Sequence, residues 1–121
     1  MYINDSELLY EIIISKGKGK LTKRAQFLLI QLGENILPKL VRNLYGNSDN
    51  VDLIYDIKMN GITKLLTYWK TFNHYKYDKC IPYYTEIFKR GAAEGYNIIV
   101  FQHYRSDFGK IMIRFNDNIT Y

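Results

Sequence analysis

Aromatic and basic side chains alternate between Trp69 and Arg90, in the segment WKTFNHYKYDKCIPYYTEIFKR. Cations can neutralise phosphates and flat rings can stack on exposed bases, so this mixture is typical of a nucleic-acid surface. The whole chain has the same bias, with 12 Tyr, 6 Phe and 1 Trp, and with 17 Lys and Arg against 12 Asp and Glu. These features predict contact with nucleic acid.

Groups suited to catalysis or to metal binding are sparse. His74 and His103 do not have the spacing of metal ligands, and Cys80 is the single cysteine. Gly17 and Gly19 are not followed by the Gly-Lys-Ser/Thr of a phosphate-binding loop, and the acids are scattered singly. We therefore expect no enzyme, no metal and no cofactor.

A second basic cluster lies near the N-terminus. Five cations and two glycines, with no acid, occur between Lys16 and Arg24, which predicts a mobile basic loop. Such a loop is either a solvated connection or a phosphate contact, and both alternatives stay open.

The elements that must position these side chains are predicted to be helices. Asp5 or Ser6 can cap a first helix that ends at Gly17, and Thr22 can cap a second that runs to about Tyr45. Pro38 lacks an N–H and predicts a kink or a break near Leu37. Helical spacing predicts a third helix from 51 to 69 that buries Val51, Ile54, Tyr55, Ile62, Leu65, Leu66 and Trp69.

A turn-rich linker from 46 to 50 separates the second and third helices, and Pro82 suits the first turn of a fourth. We expect that helix to reach about His103, although the β-branched run 98–101 could also form a strand. We expect four large apolar side chains in the core: Leu65, Leu66, Trp69 and Phe88. At most one of the adjacent Tyr83 and Tyr84 can be fully buried. The predicted fold is mainly α, a single domain of about four helices over 1–104, with an extended C-terminal tail over 105–121.

Cellular location is inferred from the same composition. A single cysteine is consistent with a reducing compartment, and the first ten residues lack the basic start and long apolar stretch of a signal peptide. No apolar run is long enough to cross a bilayer. The expectation is a cytoplasmic protein without a membrane partner.

The order of features from Ile36 to Tyr96 resembles a known family. The run DIKMNGITKLLTYWKTFNHYKYDKCIPYYTEIFKRG, which starts at Asp56, looks like region 2 of the housekeeping-type sigma factors. It is more similar still to the reduced sigma factors of bacteriophage late transcription. The preceding LPKLVRNLYG, which starts at Leu37, is similar to the helix that opens the same region.

The resemblance implies a contact with RNA polymerase. In the family, the helix that matches DIKMNGI packs on the coiled coil of the largest subunit of the core enzyme, which implies contact through Asp56, Met59 and Asn60. Polar and acidic residues are usual where this chain has Met59 and Asn60. We therefore expect apolar contact to contribute more to core binding here.

The resemblance also implies a contact with the non-template strand of the promoter. Phe72 and Tyr83 match the aromatic pocket that captures an adenine during promoter opening. Glu86 and Ile87 replace the tryptophan pair of housekeeping members, so strand separation here is expected to need help. Residues of the same loop and helix complete the set of expected DNA contacts: Tyr75, Lys76, Thr85, Lys89 and Arg90.

The expected function is a phage-type sigma factor that binds core polymerase and helps to melt an A/T-rich promoter element near the start site. The tail from Arg105 to Tyr121 is a candidate attachment point for a coactivator, or it completes the core of the domain itself. The alternatives are a general single-strand binding module, a virion component that touches packaged DNA, and an interaction protein without DNA contact.

Overall fold

The computed structural model describes residues 2–44 and 51–107, and the side chains of 2–42 and 52–96. Its elements are α1 (Asp5–Lys18), α2 (Lys23–Leu44), α3 (Val51–Tyr68), a 3₁₀ turn (Trp69–Thr71) and α4 (Ile81–Asp107). These ranges contain no strand, which confirms the prediction of a mainly α domain of four helices. The predicted linker 46–50 and the tail from 108 onward lie outside the described residues.

Helix α1 is capped by Asn4 rather than by the predicted Asp5 or Ser6. The Asn4 side chain accepts a hydrogen bond from the Glu7 backbone N–H at 3.1 Å, which satisfies a donor that the first helical turn leaves unpaired. The helix ends at Lys18 and is capped by Gly19, whose left-handed φ of 76° favours glycine, so it continues past the predicted end at Gly17. Asp5 is thereby left free to bind another element.

The predicted basic loop is mostly helical. Lys16 and Lys18 belong to α1, Lys23 and Arg24 belong to α2, and only residues 19–22 connect the helices. Thr22 caps α2 as predicted, because its hydroxyl oxygen accepts the Ala25 N–H at 3.0 Å. The expectation of a long mobile loop is wrong because local caps extend both helices into the segment.

Ser15 and Glu11 of α1 hold the connection to α2. The Thr22 N–H donates to Ser15 Oγ at 3.0 Å, and the Thr22 hydroxyl donates to Glu11 Oε1 at 3.0 Å. Ser15 is completely buried, and its own hydroxyl donates to the Glu11 carbonyl oxygen at 2.8 Å. These bonds fix α1 and α2 as a helical hairpin.

Pro38 does not break α2, which is one helix from Lys23 to Leu44. Proline removes one backbone hydrogen bond, but packing can offset that loss when neighbouring residues are anchored. Leu40 is buried, and Ile36 and Leu37 pack against the core. Of the two predicted alternatives near Leu37, the break is therefore absent, and the kink stays a prediction.

Helices α2, α3 and α4 meet at the ring of Phe88, which is fully buried. A Cβ added to Gly33 of α2 would lie 2.8 Å from this ring, and one added to Gly61 of α3 would lie 2.6 Å from it. Glycine at these positions therefore lets all three backbones approach one aromatic side chain. Burial of Phe88, Trp69 and Leu65 agrees with the sequence prediction.

Tyr55 was predicted to be buried, but it is 55% exposed, and Ile57 is buried in its place. Two residues that are two positions apart are related by a rotation of about 200° around the helix axis, so Tyr55 and Ile57 lie on nearly opposite faces. The buried stripe of α3 consists of Ile57, Ile62, Leu65 and the following Trp69. Val51 lies outside the described side chains.

Helix α4 continues to Asp107, a few residues beyond the predicted end near His103. The run 98–101 is helical, as favoured by the sequence reading, and 105–107 are helical rather than the start of an extended tail.

Candidate nucleic-acid interface

An open groove of about 310 Å³ lies between the C-terminal part of α3 and the N-terminal half of α4. This volume is at the lower end of the range for small-ligand sites, about 300 to 1,000 Å³. The lining side chains include rings, an aliphatic group and charges of both signs: Lys64, Tyr68, Thr71, Tyr83, Ile87, Arg90 and Glu94. A groove of this composition can hold a flat ring and an attached anion.

Tyr83 presents an aromatic ring to the groove from α4, and Tyr68 presents another from α3. Tyr83 is 37% exposed, and its hydroxyl forms a hydrogen bond with the Thr71 hydroxyl. Its ring centroid lies 5.4 Å from that of Phe72 and 5.6 Å from that of Tyr84. The ring is thus anchored on the protein side and accessible on the groove side.

Phe72 was expected to line an open pocket together with Tyr83, but it is 1% exposed. Its ring packs against Tyr84, with centroids 5.9 Å apart, and its backbone carbonyl accepts a hydrogen bond from Lys16. Exposing a buried phenyl ring costs about 2 kcal/mol, so direct stacking of Phe72 on a base is disfavoured. The two rings do touch, but Phe72 supports Tyr83 from the core and is not itself a pocket wall.

Tyr84 is the fully buried member of the tyrosine pair, as expected for adjacent residues on a helix. Its hydroxyl donates to the Trp69 carbonyl oxygen at 2.8 Å. Burial raises the pKa of the Tyr84 phenol far above its ordinary value of 10.0. Tyr84 therefore joins α4 to the 3₁₀ turn, which carries Thr71 of the groove lining.

Two cations line the groove, in different electrostatic settings. Lys64 Nζ lies 3.0 Å from Glu94 Oε2, and the hydrogen bond and charge of Glu94 raise the pKa of Lys64. Arg90 is exposed and forms no ion pair with the other described side chains. Arg90 is therefore the cation that a phosphate would meet first.

Two of the expected DNA contacts on α4 are not part of the groove. Lys89 lies 3.8 Å from Glu86 on the outer surface of the helix, and Thr85 is partly buried away from the lining residues. Each step along a helix rotates the side chain by about 100°. Lys89 therefore points away from its neighbour Arg90, and Thr85, two positions after Tyr83, lies nearly opposite to it.

The connection from 72 to 80 displays the other expected DNA contacts. Tyr75 is 91% exposed and stacks on His74 at a centroid distance of 4.1 Å. Lys76 lies 5.3 Å from the centre of the Tyr77 ring. The backbone N–H groups of 76 and 77 both donate to the Asn73 carbonyl oxygen, so the segment forms a hydrogen-bonded turn in which Tyr75 and Tyr77 are exposed.

The expected polymerase contacts on α3 are divided between two faces. Asp56 is exposed, and Met59 is 38% exposed one helical turn later. Asn60 instead donates a side-chain hydrogen bond to the Gly91 carbonyl oxygen of α4. Asn60 is therefore a contact between helices, and its expected contact with the polymerase stays a prediction.

Sequence reasoning missed five groove residues: Lys64, Tyr68, Thr71, Ile87 and Glu94. A signal was present on α4, where 83, 87, 90 and 94 recur at intervals of four, three and four and so share one face. The contribution of α3 was not visible, because nothing local to 64 and 68 specifies which helix they face.

The described residues contain no group of three or more metal-ligating side chains, and none of their helices is long and apolar enough to span a bilayer. Comparisons of the chain with protein-family models, with curated proteins and with solved structures found no match.

Proposed function

We propose that this chain is a non-enzymatic, sigma-like subunit that docks on a bacterial-type RNA polymerase and holds the non-template strand of promoter DNA in the groove between α3 and α4. The observation that carries the proposal is the Tyr83 ring, anchored by Thr71 and Phe72 and accessible beside Arg90. The resemblance to sigma region 2 over Ile36–Tyr96 supports the same reading. If the chain is encoded by a phage, it acts in the cytoplasm of the host cell. The promoter element that it recognises is A/T-rich and lies near the start site.

Stacking energies support a site that assists opening without completing it. Extruding a base costs a few kcal/mol, and stacking one base on a ring returns about 1 to 3 kcal/mol. Because Tyr83 is already held by its neighbours, little ordering entropy is lost when a base arrives. The remaining cost falls to the polymerase and to any coactivator that binds the C-terminal tail.

Asp56 and Met59 supply the proposed docking face for the coiled coil of the polymerase. Both are exposed on α3, whereas Asn60 on the same helix is bonded to α4. With one acid and one flexible apolar side chain, this face combines a charge that can set orientation with apolar area that adds affinity.

The test is open-complex formation by purified bacterial core polymerase on a late-type phage promoter, measured by permanganate reactivity of unpaired thymines. We expect Tyr83→Ala to reduce opening roughly ten-fold, because one base loses its stacking platform. Tyr83→Phe keeps the ring and loses only the hydroxyl contact to Thr71, so it should stay within about two-fold of wild type.

Docking must be measured separately from opening. The double variant Asp56→Ala, Met59→Ala should weaken co-migration with core polymerase, whereas Tyr83→Ala should leave it intact. Equal opening by wild type and Tyr83→Ala would refute the role of the groove, and absence of binding to core would refute the sigma-like function itself.

A general single-strand binding module is the second candidate, favoured by the 91% exposed Tyr75 stacked on His74. Such a module would bind single strands tightly without polymerase, through the rings and cations of the 72–80 segment. Titration of a labelled strand against the free protein separates the two: loss of most affinity in Tyr75→Ala but not in Tyr83→Ala would favour this alternative.

A further inference from the structure

The ion pair in the groove uses a cation that a nucleic acid would otherwise bind. Lys64 of α3 and Glu94 of α4 both line the groove, and their charged atoms are 3.0 Å apart. The side chains are 32% and 54% exposed, so solvent and ligands can reach both. Arg90, on the same face of α4, has no such carboxylate partner among the described residues.

A carboxylate and a phosphate can both serve as anionic oxygen ligands for a lysine ammonium group. Both present oxygen atoms with negative charge, and the ammonium group binds either as a compact point charge with three donors. An exposed ion pair is weak, so an incoming phosphate can displace Glu94 from Lys64. Exchange of one anion for the other adds little binding energy, and the ligand therefore needs a second favourable contact. Stacking of its base on Tyr83 provides that contact.

We infer that Glu94 is an internal competitor for phosphate at Lys64, so that a bare anion or a duplex binds the groove weakly, whereas an unpaired base that also stacks on Tyr83 binds tightly enough to displace the carboxylate. This inference rests on the proposed function of the groove. A duplex phosphate would have to displace Glu94 without any base reaching Tyr83. Binding to double-stranded DNA away from open promoters would accordingly be weakened.

Fluorescence anisotropy of the full chain with a labelled A/T-rich strand of about 12 nucleotides, alone or as a duplex, tests the inference. Glu94→Gln removes the charge and keeps the shape, and it should raise affinity for the single strand about three- to five-fold. Glu86→Gln is the matched control, because it removes the same charge from the same helix beside Lys89, outside the groove. We expect the control to change affinity by less than about two-fold.

The double variant Lys64→Met, Glu94→Gln should lose the gain, since the released cation is then absent. Circular dichroism of each variant checks that the helical fold is retained. An equal gain in Glu94→Gln and Glu86→Gln would overturn the inference in favour of net charge, and equal affinity of the wild-type chain for single strand and duplex would overturn the selectivity.

The outcome separates this inference from the proposed function. If wild type binds the strand, Tyr83→Ala weakens binding and Glu94→Gln changes nothing, then only the role of Glu94 is wrong. If no variant binds the strand, the inference is wrong, and open-complex formation with core polymerase still decides the proposed function independently.

Discussion

Tyr83 and Tyr84 show how strongly one step along a helix changes the role of a residue. Tyr83 is 37% exposed in the groove, whereas Tyr84 is completely buried and bonded to the Trp69 carbonyl oxygen. The same residue type therefore provides a ligand platform at one position and a core hydrogen bond at the next. Exposure, not residue identity, makes Tyr83 the better candidate for base contact.

At the residue scale, the buried Cys80 thiol and Tyr84 phenol should make the free energy of unfolding fall at alkaline pH. Burial, with the Asp5 charge and hydrogen bond, raises the pKa of the Cys80 thiol from 9.0 to about 12, and burial raises the pKa of the Tyr84 phenol. Above about pH 9 the unfolded chain ionises first and binds fewer protons than the folded chain, so the free energy of unfolding falls as pH rises. Urea unfolding from pH 7 to 11 should show this fall.

Cys80→Ala removes one of the two groups, so its free energy of unfolding should fall less steeply between about pH 9 and 11, whatever its value at pH 7. The slopes are compared rather than the absolute stabilities, because the substitution also leaves a small cavity. Identical slopes in wild type and variant would contradict the linkage. Slow reaction of the native thiol with a thiol reagent at pH 8, and fast reaction in urea, is an independent check.

At the element scale, glycine allows α3 and α4 to approach closely. A Cβ added to Gly91 would lie 2.9 Å from the Gly61 Cα and 2.6 Å from Cγ of Lys64. The first contact is with backbone, so it cannot be relieved by a side-chain rotation. The same crossing positions Lys64 beside Glu94, and the groove thus depends on the glycine contact.

We predict that Gly91→Ala lowers the free energy of unfolding by up to about 2 kcal/mol, measured by urea titration. Overpacking costs about 1 to 3 kcal/mol and outweighs the gain of about 1 kcal/mol in helix propensity. Gly17→Ala in α1 is the matched control, since its Cβ would meet nothing within 4 Å. The control should be stabilised by about 0.5 to 1 kcal/mol, and stabilisation of both variants would contradict the close approach of α3 and α4.

On the scale of the whole molecule, Asp5 joins the first helix to the last. Its carboxylate accepts the backbone N–H groups of Cys80 and Ile81, each at 3.0 Å, across 75 and 76 residues of sequence. These donors lie at the start of α4, where a negative charge also interacts favourably with the helix dipole. The start of the helix that carries Tyr83 is thereby held by the N-terminal hairpin.

Asp5→Asn keeps one acceptor but loses the charge and the second acceptor, so it should lower the free energy of unfolding by about 1 kcal/mol. Hydrogen exchange at the Ile81 amide should accelerate with it. Glu7→Gln provides a control on the same helix, because the partner of its carboxylate among the described residues is the exposed Arg24, and it should cost less than about 0.5 kcal/mol. Equal effects of the two substitutions would mean that Asp5 does not hold α4.

The sequence predicted local features well where one residue decides the outcome. Thr22 caps α2, Pro82 lies in the first turn of α4, and one of the two adjacent tyrosines is buried. The errors occurred where neighbours from distant segments decide. Asp5 was predicted as a possible cap for its own helix, but its carboxylate accepts the Cys80 and Ile81 N–H groups at the start of α4. Phe72 was predicted to line an open pocket, but it is buried.

By itself, the sequence determined that the chain forms four helices and which residues can share a helical face, because backbone propensity, caps and 3.6-residue periodicity act over a few positions. Only the tertiary structure decided that Phe72 is buried beneath Tyr83, and that Lys64 meets Glu94 across two helices. These outcomes depend on how α3 crosses α4, and that crossing depends on the size of side chains far apart in the chain.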